Sequence, residues 1–413
     1  MWSLCTVLSA FSDPACNTRN GTCMTYDLAV AGGGIAGLYL GWKCAEAGMK
    51  VCIIEGRRTI GLPVRCGEAT GNERELARFI PVDPRWIACE LEGLAVHFNG
   101  AAPMVRRIEQ TGVVLRRDRF ELQLYENASV AGATIMTGTT VSGLCAKGGN
   151  WSGLCTSNGS RITATLIAGA DGPQSLVGRE AGITAVLAAR DAFPALQYRV
   201  DAPGISDRML HFHLGTQIIP RGYLWVFPRA DGQLSVGAGT FGAQDNPALP
   251  AAALETFLAR HFPGAPRSHL VCGCAPITVC PGRLFRGNVT VVGDAARQVN
   301  PLTAGGIMNT LEAADLLWRS IVAASGDPHR AFLRYNRVWC ARPRREQFIF
   351  MLLKELFLQC NDNEIERTLR GLDCAFASQI TRDTPFCIPG LRLLRALCPL
   401  VPRIAMLALH RRR

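Results

Sequence analysis

The stretch that decides the fold runs from Tyr26 to Gly56 and reads YDLAVAGGGIAGLYLGWKCAEAGMKVCIIEG. An apolar run enters a glycine-rich turn, a helical pattern follows, and a second apolar run ends at Glu55. This order of strand, turn, helix and strand is the setting in which a Gly-x-Gly-x-x-Gly motif binds a dinucleotide. The sequence therefore predicts a dinucleotide whose phosphates lie at a helix N-terminus. A glycine-rich turn that binds nothing is the less favoured interpretation.

The residues of this motif have separate tasks. Gly32 allows the tight turn, Gly34 lets a pyrophosphate approach the backbone, and Gly37 lets the helix pack on the strand. Glu55 lies 23 residues after Gly32 and is expected to accept hydrogen bonds from a ribose hydroxyl. Because a carboxylate repels a 2′-phosphate, the pattern favours a dinucleotide without one.

Composition narrows the class of protein. The chain has 413 residues, of which 48% are apolar and 19% charged, so it can bury a sizeable core. Its net charge is +11, but the arginines are scattered, which makes nucleic acid the least favoured partner. No apolar run reaches the about 18 residues of a membrane span. We expect a cytoplasmic protein, with peripheral membrane contact as an additional expectation.

The cysteines predict neither a metal site nor a disulfide framework. There are 17 of them, without paired C-x-x-C motifs or histidines at zinc-finger spacing. Since Cys44 and Cys52 fall inside a predicted helix and strand, buried free thiols in a reducing compartment are expected. His211 and His213 alternate on a predicted strand without a third ligand nearby, so no metal is predicted there either.

Both termini differ from the rest of the chain. Residues 1–23 lack the basic start of a signal peptide and are predicted to be a disordered extension or a mis-assigned start before Met24. Residues 391–413 combine leucines with six arginines and no acid. This composition suits contact with anionic lipid, and equally a helix packed on the protein with a basic end.

Between these ends the patterns change along the chain. Asn158-Gly159 between two strand-like runs predicts a hairpin. Residues 193–240 are rich in short strand patterns, including one at 217–220, and predict an antiparallel sheet that interrupts the α/β order.

Three later turns add the parts that a flavin dinucleotide needs. Asp294 follows an apolar strand and can accept hydrogen bonds from ribityl hydroxyls. The helix that opens at Gly305, Gly306 and Ile307 presents amide donors suited to the negative charge of reduced flavin. Asp171, in another strand-end turn, is expected to fix the backbone rather than touch the cofactor. FAD is therefore the predicted cofactor.

Three stretches carry a resemblance to a known family. They are GLPVRCGEATG (61–71), PRGYLWVFP (220–228) followed by Gly237-Ala238-Gly239, and VVGDAARQVNPLTAGGI (291–307). They are similar to the CGE loop, the PxxYxWxFP…GxG signature and the flavin-binding turn of geranylgeranyl reductases, which have an aromatic hydroxylase-like fold. The resemblance covers about Met24 to Ser325.

The resemblance implies an α/β fold with a discontinuous FAD-binding Rossmann-like domain, an inserted antiparallel β-sheet substrate domain and a helical C-terminal region. The predicted limits are 24–88, 112–185 and 280–325 for the FAD-binding domain, 89–111 and 186–279 for the sheet domain, and 326–413 for the helical region.

Carried over by position, the resemblance also names flavin-lining residues. Besides Gly32, Gly34, Gly37 and Gly305, these are Ala36, Glu55, Cys66, Gly67, Ala69, Arg117, Val141, Asp294, Gly306 and Ile307. Arg117 would neutralise the pyrophosphate or hold the adenine half, unless it is only an exposed cation at a helix start. Glu121 stands where the family usually has Asp.

The family reduces isolated C=C bonds of isoprenoid chains. Such a substrate offers no carbonyl to polarise, so its site must exclude water and hold the chain against the flavin. Tyr223, Trp225 and Phe227 alternate and would face one way on a strand, forming an apolar wall for a prenyl chain or an ordinary core face. Cys66, Tyr223 and Trp225 are the candidate catalytic residues. The Cys66 thiol would donate a proton, gate access or sense redox state, or be structural.

Two other functions remain open at this level. A flavin monooxygenase of the same fold would add oxygen, and a flavoprotein electron carrier or quinone reductase would act at the membrane. The expected partner is an isoprenoid or prenylated lipid. Because no second dinucleotide motif is present, NAD(P)H, ferredoxin and a deazaflavin all remain candidate electron donors.

Overall fold

The structure is a computed structural model, and it describes residues 25–99, 101–147, 150–202, 207–229, 232–242 and 246–377. The predictions for residues 1–23 and for the basic segment 391–413 lie outside these residues.

The strands are β1 Thr25–Ala31, β2 Val51–Glu55, β3 Ala69–Thr70, β4 Ile87–Phe98, β5 Met104–Leu115, β6 Thr134–Thr137, β7 Val141–Lys147, β8 Asn150–Thr156, β9 Arg161–Gly169, β10 Ala192–Asp201, β11 Met209–Leu214, β12 Gly222–Pro228, β13 Gln233–Thr240, β14 Arg267–Pro276, β15 Phe285–Arg286 and β16 Val289–Val291. The helices are α1 Ile35–Glu46, α2 Glu73–Leu76, α3 Arg117–Val130, α4 Leu176–Glu180, α5 Leu249–His261, α6 Ile307–Ala323, α7 Pro328–Ala341, α8 Pro343–Phe357 and α9 Asp362–Ala377.

The first sheet is built around β1. Strands β16, β9, β1, β2 and β6 pair in parallel in that order, with β15 antiparallel at one edge and β8 and β7 continuing from β9. Leu28 and Val30 face the core shared with α1, α3 and α6, whereas Ala29 and Ala31 face the opposite core beside β8 and α4. Both faces are covered, which explains why β1 and β2 are continuous apolar runs. The predicted α/β flavin-binding fold is confirmed.

The second sheet has the order β14-β10-β13-β12-β11-β4-β5-β3. Its pairs are antiparallel as predicted, except that β11 runs parallel to β4. The predicted strand at 217–220 is wrong, because this segment is a turn between Gly215 and Arg221, both of which have positive φ. Its apolar character reflects burial of the turn, in which Ile219 is 1% exposed.

The limits of the domains stay a prediction. Strand β3 and the last residues of β5 pair within the second sheet, although their numbers fall in the predicted FAD-binding segments. The boundary in the chain is therefore less sharp than the division between the two sheets.

The C-terminal helices join the two parts. Tyr335 on α7 donates at 3.2 Å to the carbonyl of Val291, the last residue of β16 in the first sheet. On α8, the buried ammonium of Lys354 donates to the carbonyl of Ile277, just after β14, at 2.8 Å.

The hairpin predicted at Asn158-Gly159 is confirmed by the antiparallel pairing of β8 with β9.

The expectation of free thiols is wrong for one pair, since Cys145 and Cys155 form a disulfide between β7 and β8. These cysteines lie ten residues apart. A hairpin register brings them together, which cysteine spacing alone does not reveal. Cys44 and Cys52 are buried free thiols as expected.

Candidate active site

A cavity of about 2070 Å³ lies between the two sheets. It is lined at one end by the β1–α1 turn and at the other by one face of the second sheet. The Cys66 loop, residues 61–71, and the start of α6 border it between these ends. The cofactor motif and the aromatic strand therefore share one cavity.

The glycine motif has the geometry that a dinucleotide requires. Gly32 has φ +104°, and a Cβ there would lie 2.3 Å from the carbonyl oxygen of Ala170. A Cβ on Gly37 would lie 1.9 Å from the carbonyl oxygen of Gly32, so this glycine serves helix packing. Around Gly34 nothing lies within 4 Å of a Cβ position, and no side chain caps α1 there. Phosphate oxygens can therefore reach free amide groups.

Glu55 closes this end of the cavity. Its carboxylate accepts from the amide of Gly33 at 2.6 Å and from the amide and Nε of Arg57 at 2.7 and 2.9 Å. Burial raises the pKa of Glu55, but the hydrogen bonds and charge of Arg57 outweigh burial and hold this pKa below its usual value. The group is an anion that lines the cavity where a ribose is expected.

The two predicted aspartate turns behave differently. Asp171 accepts from Ser175 Oγ at 2.6 Å and from the amide of Val177 at 3.0 Å, so it fixes its own turn. Asp294 accepts no side-chain hydrogen bond from the described residues and lines the cavity. A Cβ on Gly306 would lie 3.7 Å from its Oδ1. Burial raises the pKa of Asp294, and the nearby charge of Arg117 opposes that rise.

Arg117 is not an isolated cation. Its Nε donates to Glu121 at 2.7 Å, and Glu121 also pairs with Arg57. Burial alone would lower the pKa of Arg117. Glu121 and the adjacent Cys66 raise this pKa by more than burial lowers it, so the guanidinium stays charged. The interpretation as an exposed helix-start cation is therefore wrong. Ala36, Ala69, Val141, Gly305 and Ile307 line the same cavity.

The aromatic strand forms one wall. Tyr223, Trp225 and Phe227 share a face of β12 and line the cavity, with neighbouring ring centroids 5.9 and 6.3 Å apart. Gly237 and Gly239 on β13 leave room for rings, because a Cβ on Gly237 would lie 2.2 Å from the indole of Trp225. Because these positions carry no side chain, the aromatic wall is flat where β12 and β13 lie beside the Cys66 loop.

The wall continues over neighbouring strands of the second sheet. The additional apolar side chains that line it are Leu94, Val96, Phe193, Leu210, Phe212 and Val271. Tyr223 is tied to the α6 loop, since its hydroxyl donates to the carbonyl of Thr303 at 2.7 Å. Burial raises the pKa of Tyr223, which keeps the phenol protonated.

The Cys66 loop is held to the sheet by polar side chains that sequence reasoning missed. Glu68 is fully buried and pairs with Arg199 on β10 and Arg229 after β12. The side-chain amide of Gln197, also on β10, donates to the carbonyl of Cys66 at 2.7 Å. In the sequence, only the CGE motif indicated that Glu68 lies near the site. Gln197 and Arg199 gave no signal, since their partners lie 131 residues away in the chain.

The cavity fits FAD by these observations. A tight glycine turn opens onto an uncapped helix, the anionic Glu55 stands where a ribose is expected, and the carboxylate of Asp294 accepts no side-chain hydrogen bond from the described residues. Gly32, Gly34, Ala36 and the start of α6 would hold the cofactor along its length. Among the described residues, no group of three or more His, Cys, Asp or Glu side chains is arranged to hold a metal.

Comparison with known proteins agrees with this geometry. A model of the FAD binding domain matches residues 25–223, and one of the geranylgeranyl reductase catalytic domain matches residues 191–275. The chain is 32% identical over 367 residues to a digeranylgeranylglycerophospholipid reductase of Methanothrix thermoacetophila, covering 86% of this chain and 94% of that protein. The chain belongs to the geranylgeranyl reductase family. It is an FAD-dependent oxidoreductase that reduces C=C bonds.

Another member of the family and a solved structure also match most of this chain. The reductase of the same name from Methanosarcina mazei is 31% identical, over 84% of this chain and 88% of that protein. A geranylgeranyl bacteriochlorophyll reductase-like protein of Thermoplasma acidophilum superposes with a TM-score of 0.80 at 27% identity, covering 92% of this chain and 98% of that one. A flavin-dependent brominase, 16% identical with a TM-score of 0.69, shares the fold alone.

No helix in the described part of the chain is long and apolar enough to cross a membrane.

Proposed function

We propose that this enzyme saturates the C=C bonds of geranylgeranyl chains carried on a glycerophospholipid precursor. The observation that carries the proposal is the aromatic wall of Tyr223, Trp225 and Phe227, which continues into the cofactor groove in one cavity. A prenyl chain lying on this wall would be shielded from water. The names of the relatives that the chain matches over most of its length support the phospholipid.

The residues around Cys66 suit the second half of the reduction. When bound and first reduced by the electron donor, FAD would supply a hydride to one alkene carbon. The other carbon needs a proton, and a thiol is a suitable acid for that transfer. Cys66 lies at the junction of the wall and the groove, where its sulfur accepts from the amide of Glu68 at 3.2 Å. We assign the proton to its thiol.

The proposal includes contact with a membrane surface. Arg330, Arg334 and Arg337 are exposed on α7 beside the exposed Leu333 and Val338. Within the described chain these three arginines have no acidic partner. Such a face suits anionic lipid headgroups. The junction of α7 and α8 also lines the cavity, through Arg342 and Pro343.

The electron donor is the remaining partner. NAD(P)H, reduced ferredoxin and a reduced deazaflavin are the candidates, and each can be offered to the oxidised holoenzyme without oxygen. The donor is the one that bleaches the flavin absorbance within the time of a catalytic turnover.

Lipid mass spectrometry tests the substrate. Cells that make a digeranylgeranylglycerophospholipid would express either this chain or its Cys66→Ala variant. We expect the wild type to raise lipid masses in steps of two hydrogen atoms, and the variant to give much less of each step. Unchanged lipids in cells that contain flavin-loaded wild-type protein would refute the proposal, and products that gain oxygen would indicate a monooxygenase.

A further inference from the structure

The turn that carries Asp294 is held by side chains from outside the segments that the two family models match. These models match residues 25–223 and 191–275, whereas α7 and α8 begin at Pro328 and Pro343. Both helices nevertheless reach the backbone around Asp294. The C-terminal helical region therefore supports the cofactor groove, although the sequence predicted no cofactor contact for it.

One support is a chain of three hydrogen bonds that begins and ends at the turn. The amide of Gly293 donates to Gln298 Oε1 at 2.8 Å, and Gln298 Nε2 donates to the Tyr335 hydroxyl at 2.7 Å. That hydroxyl donates in turn to the carbonyl of Val291 at 3.2 Å. The side chains of Gln298 and Tyr335 are fully buried. The backbone that leads into Asp294 is therefore fixed at two points by one pair of side chains.

The donors and acceptors of this chain fit in one direction only. A backbone amide can only donate, so the oxygen of the Gln298 side chain faces Gly293 and its nitrogen faces Tyr335. Burial raises the pKa of Tyr335, so the hydroxyl keeps the proton that it donates. Neither side chain is among the described residues that line the cavity. Any effect of this pair on the cofactor must therefore pass through the turn.

A second support fixes the backbone on both sides of Gln298. The side-chain nitrogen of Gln347, on α8, donates to the carbonyls of Arg297 and Val299 at 2.9 Å each. Gln347 is itself buried. Arg297 has φ +58°, a conformation that residues with a side chain rarely adopt, so it depends on such contacts. The two helices together determine the path of the backbone around Asp294.

We propose that Tyr335 and Gln298 are positioning residues for FAD, because they set the place of the Asp294 carboxylate in the groove. Asp294 lines the cavity and accepts no side-chain hydrogen bond from the described residues. A carboxylate binds ribityl hydroxyls only at hydrogen-bonding distance, so a shift of its turn would weaken that contact. The role rests on the expected contact of Asp294 with FAD and is independent of the lipid substrate.

A double-mutant cycle on FAD binding tests this role. Tyr335→Phe removes the hydroxyl and keeps the ring, and FAD is titrated into the FAD-free forms of wild type, Y335F, D294N and the double variant. We expect Y335F to weaken FAD binding at least about five-fold when Asp294 is present, but less than about two-fold in D294N, because both residues act through one contact. Equal losses in the two backgrounds, or no loss in either, would overturn the proposal.

Tyr39→Phe is the matched control. Tyr39 is also buried, and its hydroxyl donates to Asp315 on α6 at 3.0 Å. Y39F therefore loses a buried tyrosine hydroxyl without touching the turn, and we expect it to bind FAD as tightly as wild type. If Y39F weakens FAD binding as much as Y335F does, general loosening of the fold explains both losses and the positioning role is wrong.

A crystal structure of FAD-loaded wild type tests the geometry without any variant, and it decides the question if Y335F does not fold. We expect an Asp294 oxygen within about 3.2 Å of a ribityl hydroxyl, with the hydrogen bonds of Gln298 to Gly293 and Tyr335 intact. A carboxylate that does not contact FAD, or a Tyr335 hydroxyl that is not bonded to Gln298, would overturn the proposal. Because neither test involves a lipid, their outcome is separate from that of the proposed function.

Discussion

Glu68 is one of the residues that attach the Cys66 loop to the second sheet. It has φ +69°, a conformation that non-glycine residues rarely adopt, and it pairs with Arg199 and Arg229 inside the protein. The amide of Arg117 also donates to its carboxylate at 2.9 Å. These contacts hold a backbone that would otherwise be strained.

Replacing Glu68 with Gln would remove the buried carboxylate with which the guanidinium groups of Arg199 and Arg229 pair. We expect the free energy of unfolding to fall by about 3–5 kcal/mol, measured by urea denaturation of the holoenzyme. Glu92→Gln is the control, since Glu92 is 42% exposed where it pairs with Arg208 and should contribute only about 0–1 kcal/mol. Equal stabilities of the two variants would contradict the importance of this buried pairing.

Asp294 is predicted to favour FAD binding at a cost in stability of the FAD-free protein. Because burial raises its pKa, the folded protein holds the proton more tightly than the unfolded chain does. The carboxylate therefore destabilises the FAD-free fold at neutral pH. This penalty disappears as pH falls below the raised pKa.

Asp294→Asn should consequently raise the melting temperature of the FAD-free protein at pH 8, with the gain shrinking toward acidic pH. The same change should weaken FAD binding by about ten-fold or more, since a hydrogen bond to a charged group contributes about 1.5–3 kcal/mol. Calorimetry of the FAD-free protein and FAD titration measure the two effects. A variant that is less stable without FAD, or that binds FAD as tightly as wild type, would contradict this role.

At the scale of elements, β13 matters because Gly237 and Gly239 place no side chain against the aromatic rings of the wall. A Cβ on Gly237 would lie 2.2 Å from the Trp225 ring and 2.6 Å from the carbonyl oxygen of Leu196. Gly237→Ala should therefore push the indole into the cavity and lower kcat/KM for prenyl lipids by at least about ten-fold, at a stability cost of about 1–3 kcal/mol.

The matched control is Gly282→Ala, since the nearest atom to a Cβ there is Arg344 Nη2 at 3.9 Å. Its stability and steady-state kinetics should equal those of wild type. Wild-type kinetics in G237A would show that the flat wall does not hold the substrate.

The exposed face of α7 is the element predicted to contact lipid. Reversing Arg334 and Arg337 to Glu should weaken binding to anionic phospholipid vesicles at least about ten-fold, because each basic residue near such a surface contributes about 1 kcal/mol. Vesicle cosedimentation measures this effect. Reversing the exposed Arg85 and Arg119 changes the net charge equally and should weaken binding less. Equal losses would show that only net charge matters.

At the scale of the whole molecule, the sequence predicts what depends on local spacing. The turn at Gly32, the carboxylates of Glu55 and Asp294, and the shared face of Tyr223, Trp225 and Phe227 follow from strand ends and from alternation along a strand. These features locate the cofactor groove and one wall. Family resemblance was still needed to indicate what lies on that wall.

Contacts between distant segments were not predictable. Gln197 meets Cys66 across 131 residues, and no pattern in either segment reveals that pairing. The parallel pairing of β11 with β4 and the disulfide between Cys145 and Cys155 likewise depend on register, which a single sequence does not fix. The residues that hold the active site together were therefore found only in the fold.

The central claim is that the cavity brings a prenyl double bond to FAD for reduction. The most direct measurement mixes pre-reduced holoenzyme with a geranylgeranyl phospholipid in the absence of oxygen, and follows flavin absorbance and lipid mass together. We predict that one flavin is reoxidised for each pair of hydrogen atoms that the lipid gains. Flavin that stays reduced beside an unchanged lipid, or flavin that is reoxidised without any gain in lipid mass, would contradict the account.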